Sequence, residues 1–203
     1  MDAPGFLRAV FIRSCGFLLL GLASWMLLSP PEAGPAYLEG PPPGHTGGFN
    51  EPTCQACHSG EPLNEASGDL ALSGVPASYN PGNSYLLTIT LRHGLLQRAG
   101  FQLSARYADG ENAGHQAGDL APVDGRVRVI AAGEPPILYA EHSVTGSEVS
   151  LRDTALWIVE WTAPAERTGA IVFHAAANAS NDDNSEFGDF VYNGSWRSVA
   201  WAP

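Results

Sequence analysis

From residue 69 onward apolar side chains recur at every second position in one short run after another, and no amphipathic helix stands between those runs. In Leu86-Leu87-Thr88-Ile89-Thr90-Leu91, the side chains of Leu87, Ile89 and Leu91 fall on one face and those of Thr88 and Thr90 on the other. Phe101, Leu103 and Ala105 alternate with Gln102, Ser104 and Arg106, and Val127 and Val129 with Arg126 and Arg128. Trp157, Val159 and Trp161 continue the pattern, as do Ile171, Phe173 and Ala175, with His174 outward or towards a neighbour. Turn dipeptides punctuate the runs at Asn80-Pro81-Gly82, Asp109-Gly110, Asp124-Gly125, Ala163-Pro164 and Asn193-Gly194. A chain patterned in this way buries one face of each strand, so the expectation is an antiparallel β-sandwich of seven or more half-buried strands.

The segment that carries chemistry lies before those strands. In Glu51-Pro52-Thr53-Cys54-Gln55-Ala56-Cys57-His58, the spacing C-x-x-C-H matches c-type haem attachment. Two thiols three positions apart can add to the two vinyl groups of one macrocycle, and the following histidine can ligate the iron. The expected assignments are Cys54 and Cys57 as thioethers and His58 as proximal ligand of one covalent haem c. A redox dithiol would open a helix in a βαβ context, whereas this segment lies among Pro, Gly and Ser. A zinc site needs four ligands, and no second C-x-x-C or H-x-x-x-H group completes one.

Haem is attached to this motif outside the cytoplasm of bacteria, so the motif requires export. Residues 1–36 supply the address: Arg8 and Arg13 precede an apolar run from Gly16 to Leu28, followed by Ser29-Pro30-Pro31 and small residues around Ala33 to Ala36. The run is shorter than the ~20 apolar residues of a comfortable membrane span, so a cleaved signal is favoured over an uncleaved anchor. The mature protein is then expected in the periplasm or secreted. Residues 37–68 read as an irregular arm, because Pro41-Pro42-Pro43-Gly44 offers neither helix nor central strand. The arm has little to hold it down by itself. Residues 69–203 form the sandwich domain.

The formal net charge is -11, and all ten basic residues are arginine. Such a surface repels phosphate, which excludes nucleic acid as a partner, and is suited to steering towards a basic redox protein. No G-x-S-x-G elbow and no Gly-rich phosphate loop is present, so no hydrolase or nucleotide site stands out.

Several phrases together resemble the reeler (reelin-like) domain over roughly residues 69 to 192: Tyr79-Asn80-Pro81-Gly82-Asn83-Ser84-Tyr85, Gly100-Phe101-Gln102-Leu103, Glu141-His142-Ser143, Trp161-Thr162-Ala163-Pro164, Phe173-His174-Ala175-Ala176-Ala177-Asn178 and Gly188-Asp189-Phe190-Val191-Tyr192. The chain is most similar to bacterial exported proteins of the choice-of-anchor V type, in which C-x-x-C-H precedes such a domain. That resemblance implies an immunoglobulin-like β-sandwich at the cell surface or in the periplasm. Animal reeler domains lack the haem motif, which sets adhesive roles apart from this chain.

The sixth iron ligand is constrained by composition. Met1 and Met26 are the only methionines, both lie in the signal, and there is no lysine. The sixth position is therefore histidine, or open. His142 is the first choice, because it follows the expected strand Ile137 to Glu141, although a structural hydrogen bond competes for it. His45 is the second, in a flexible Gly-rich stretch; His174 reads as a strand histidine, and His93 and His115 as solvated turn residues. A second feature is the acidic loop Asn181, Asp182, Asp183 and Asp189, which offers oxygen ligands to calcium or is a solvated hairpin loop.

The sequence thus points to an exported single-haem c-type cytochrome that exchanges electrons with a protein partner. The alternatives are a surface or secreted reeler-type binding module, and a haem sensor or enzyme with an open distal site.

Overall fold

The computed structural model describes residues 37–167 and 169–201; the signal segment lies outside them. Two sheets face each other. One holds, in spatial order, β1 (Ser59–Gly60), β11 (Phe187–Ala200), β10 (Ile171–Ser180), β5 (Arg98–Tyr107), β8 (Ile137–His142) and β7 (Val127–Ala132), with β3 (Ser78–Tyr79) beside β11. The other holds β2 (Gly68–Ser73), β4 (Ser84–His93), β9 (Thr154–Thr162) and β6 (Asp119–Pro122). All pairings are antiparallel except the two short ones of β1 and β3 with β11. The expected β-sandwich is the observed one. Among the described residues no helix is long and apolar enough to cross a membrane.

Period-two alternation built the space between the sheets. Leu87, Ile89 and Leu91 of β4 and Trp157, Val159 and Trp161 of β9 meet Phe101, Leu103 and Ala105 of β5 and Ile171, Phe173 and Ala175 of β10, all buried. Trp161 stands edge-on to Phe173 at 4.9 Å, and Phe101 lies tilted against Trp157 at 4.6 Å. Each indole also needs a partner for its N–H when buried. Trp157 donates to the Gly146 carbonyl at 2.8 Å and Trp161 to the Ala117 carbonyl at 2.9 Å.

The other face of the larger sheet departs from the half-buried pattern. Gln102 and Ser104 are 0 % exposed and Arg106 6 %, so β5 is buried on both sides. What covers them is the arm, and the expectation that little holds it down is corrected here. His45 N–H donates to the Gln102 amide oxygen at 2.7 Å, and the Gln102 amide donates to the Pro42 carbonyl at 3.1 Å. Glu51 pairs with Arg106 and accepts from the Tyr139 hydroxyl at 2.6 Å and from Thr46. Phe49 stands edge-on to His174 at 5.4 Å, with the Arg106 guanidinium over its ring. Gly40, at φ +112°, is required where the arm crosses β8, since a Cβ there would lie 2.5 Å from the Glu141 carboxylate.

Two further expectations are corrected. Asn193-Gly194 is not a turn but lies within β11, opposite Ala176 and Ala175 of β10. Gly194 is there because the Trp196 ring folds over it, 2.7 Å from where a Cβ would be. His93 is not solvated. It ends β4 almost wholly buried, stacked at 3.9 Å on Phe190 and 2.8 Å from the Ser67 hydroxyl.

Candidate functional site

The C-x-x-C-H segment folds as a single tight turn. Thr53 caps it by accepting the Gln55 N–H at 3.2 Å, and the Cys54 carbonyl accepts both the Cys57 N–H at 3.1 Å and the His58 N–H at 2.9 Å. That closure gathers both thiols and the imidazole along one wall of a cavity of about 510 Å³, which Cys54, Cys57 and His58 all line. The turn is fastened where Ser59 and Gly60 pair with β11, Ser59 N–H donating to the Glu186 carbonyl at 2.8 Å. The cavity falls within the roughly 300 to 1,000 Å³ usual for cofactor and small-molecule sites, and apolar groups make up most of its lining.

His58 has a defined ring. Its Nδ1 lies 2.6 Å from Oδ2 of Asp189, which also accepts from the Asn178 amide at 3.0 Å and, through Oδ1, from the Asn181 N–H at 3.3 Å. Burial alone would raise the Asp189 carboxyl, but the hydrogen bonds from His58, Asn178 and Asn181 hold it below the ordinary aspartate range. A carboxylate can only accept, so His58 donates to Asp189 through Nδ1, with the Asn178 amide 3.1 Å from the same nitrogen, and no hydrogen bond to a described residue engages Nε2. This carboxylate-histidine arrangement orients imidazole ligands and raises their basicity.

Cys54 and Cys57 are free, and Cys57 is exposed. Burial pushes the Cys54 thiol up to about 12, so it is a neutral thiol at pH 7. Redox dithiols and thiolate metal sites depend on the opposite shift.

The structure brings three of the six histidines to this cavity: His45, His58 and His142. His142 ends β8, 7 % exposed, with Nδ1 accepting the Phe101 N–H at 3.1 Å and Nε2 3.2 Å from the Tyr37 carbonyl. Burial lowers its pKa, and it stands neutral. Gly100 makes room for it, because a Cβ there would lie 2.7 Å from the ring. His45, in the arm, has Nδ1 2.9 Å from the Pro42 carbonyl, and its Nε2 makes no hydrogen bond to a described residue. His93, His115 and His174 do not line the cavity.

The acidic loop is the β10–β11 hairpin, and its four residues are drawn to different partners. Asp182 pairs with Arg98 at 2.6 Å, Asp183 accepts from the Asn181 amide at 3.1 Å and the Ser185 N–H at 2.9 Å, and Asp189 is turned inward to His58. Among the described residues no three His, Cys, Asp or Glu side chains stand together as a metal-ion cluster.

Sequence reasoning placed Asp189 in a calcium loop and missed it as the partner of His58. The available signal was its position in β11, two residues before the inward Val191 in a strand that alternates, where an acidic residue must find a buried partner. Gln102, which seats His45, carried no signal beyond strand alternation.

No family model matches the sequence. No curated protein matches it. Among solved structures, the human F-spondin reeler domain is similar at 19% identity over 68% of this chain and 94% of that one, with a TM-score of 0.43. The Reelin-N domain of F-spondin is similar at 19% identity over 73% and 96%, with a TM-score of 0.44. A cohesin module from a Clostridium perfringens family 33 glycoside hydrolase is similar at 10% identity over 67% and 98%, with a TM-score of 0.43. Reeler domains thus stand among the structural neighbours, a likeness of fold alone. The finer resemblance, to bacterial proteins that join C-x-x-C-H to such a domain, has no match in sequence.

Proposed function

We propose that the chain is an exported single-haem c-type cytochrome that passes electrons between protein partners. The observation that carries this reading is the placing of Cys54, Cys57 and His58 on one wall of a largely apolar cavity, with His58 Nδ1 held by a buried carboxylate. The donor set fits the group: two thiols at thioether spacing and an imidazole whose Nε2 makes no hydrogen bond to a described residue.

Attachment would join each thiol to one vinyl group through a sulfur–carbon bond, with the thiol hydrogen taken up by the other vinyl carbon, so that no oxidant or reductant would be consumed. Haem supplies a one-electron iron couple when bound. His58 would hold the iron through Nε2, its ring oriented by Asp189. Cys57, which is exposed, would leave that edge of the group accessible to a docking partner. The net charge of -11 favours a basic partner. Export through residues 1–36 to the periplasm belongs to the same reading.

A second reading keeps the cavity and drops the cofactor. Tyr37, Leu38, Pro41 and Phe101 also line it, which suits an apolar ligand of a secreted binding module.

The test is production of the full chain in a host with c-type maturation machinery, followed by acid-acetone extraction and the alkaline pyridine spectrum. Colour that stays with the polypeptide, with Cys57→Ala shifting the pyridine band as one thioether is lost, is the expected result. Colourless protein from a host that matures a control cytochrome contradicts the cytochrome and leaves the binding module.

A further inference from the structure

Three histidines line the cavity, and their hydrogen bonds separate them into two kinds. His58 and His45 share one arrangement. In each, the shortest contact of Nδ1 is to an oxygen that can only accept: the Asp189 carboxylate at 2.6 Å for His58, whose Nδ1 also lies 3.1 Å from the Asn178 amide, and the Pro42 carbonyl at 2.9 Å for His45. In both rings Nδ1 is thus held by the protein, and no hydrogen bond to a described residue engages Nε2. His142 is the reverse. Its Nδ1 accepts a backbone N–H from Phe101 and its Nε2–H points to the Tyr37 carbonyl, so neither nitrogen has a lone pair to offer.

The supports differ as well. His142 is wedged against Gly100 with no space between ring and backbone. Ligation by it requires breaking the Tyr37 bond, moving the proton to Nδ1 and turning that proton towards a backbone donor. His45 needs no rearrangement of protons. Its backbone N–H donates to the Gln102 amide oxygen, and the Gln102 amide donates to the same Pro42 carbonyl that accepts from His45 Nδ1. A side chain that is 0 % exposed thus holds both ends of the Pro42 to His45 turn. The prolines before it restrict φ, so this stretch is more rigid than its glycines imply.

We infer that His45, not His142, is the second axial ligand of the haem iron, and that His142 is a structural clamp joining β5, β8 and the start of the arm. This rests on the haem-binding reading of the cavity. It also gives the arm a purpose: it carries one ligand, His58, out from the β10–β11 side and the other, His45, from above β5. With both axial positions filled by imidazole, the iron serves electron transfer and is closed to exogenous ligands.

The experiment compares the haem-loaded full chain with His45→Ala, His142→Gln and His45→Met by visible absorption and by mixing the reduced forms with carbon monoxide. The expected wild-type spectrum is low-spin, without carbon monoxide binding. His45→Ala should turn high-spin, bind carbon monoxide and return to low-spin with added imidazole. His142→Gln should remain low-spin while melting at a lower temperature. His45→Met offers a thioether at the same place and should stay low-spin with a higher midpoint potential. A low-spin His45→Ala, or a His142→Gln that turns high-spin, overturns the inference while leaving the covalent haem intact. Loss of covalent haem from the wild type overturns the underlying reading instead, so the two failures are distinct.

Discussion

The two faces of β5 are buried by different means. The inner face meets β4 and β9 through Phe101, Leu103 and Ala105, and is held by apolar contact that has no direction. The outer face meets the arm through Gln102, Ser104 and Arg106, and is held by hydrogen bonds and one ion pair that fix direction closely. The inner face sets stability. The outer face sets where His45 sits, because hydrogen bonds and ion pairs form only at particular distances and angles.

The contrast is broken first at its apolar side. Trp161→Ala should cost about 4 kcal/mol, losing packing against Phe173 and Tyr79 along with the bond to Ala117, and should lower the denaturant midpoint for the whole domain. Glu51→Ala is expected to cost about 3 kcal/mol, since it removes the carboxylate paired with Arg106 and the acceptor of the Tyr139 and Thr46 hydroxyl protons, leaving Arg106 only its bond to the Tyr139 oxygen. Its distinguishing readout is proteolysis: the arm should be cut at residues 37–58 while the sandwich survives. Equal loss of both would mean that the two faces form one cooperative unit. Gln102→Ala should cost roughly 1 to 2 kcal/mol, and Glu51→Ala should leave the β-sheet circular dichroism largely unchanged.

The smallest effect is in pH. Burial lowers the pKa of His93, His142 and His174, so their folded values lie below the unfolded value of about 6.5. Their stabilising contribution is present above that value and is lost as pH falls from about 6.5 towards the folded values, because the unfolded chain takes up protons that the folded chain refuses. His174→Gln should flatten the decline of unfolding free energy below pH 6.5. An unchanged slope would mean that His174 takes up a proton under Phe49 as readily as in the unfolded chain.

The sandwich was legible because apolar alternation has a period, and Leu87, Ile89, Trp157, Trp161 and Phe173 all fall where that period puts them. Cys54, Cys57 and His58 drew attention because their spacing is the one that the proposed haem attachment would use. The packing of the arm has neither signal. Pro42, His45 and Glu51 find Gln102 and Arg106 across more than fifty residues, through single hydrogen bonds that leave no pattern in sequence. His142 drew attention by closing a strand, yet strand position says nothing about which ring nitrogen is protonated. That is decided by Phe101 N–H and the Tyr37 carbonyl, both visible only in the fold. Asn193-Gly194 was misread as a turn because its local chemistry is that of one, while the packing of Trp196 over Gly194 keeps it in β11.

The most direct measurement is the mass of the proteolytic peptide containing Cys54 to His58, taken from the exported protein after maturation. The account requires that peptide to carry one haem joined to both cysteines. The same peptide recovered with two free thiols or a disulfide, from cells that load haem onto a control cytochrome, would contradict it.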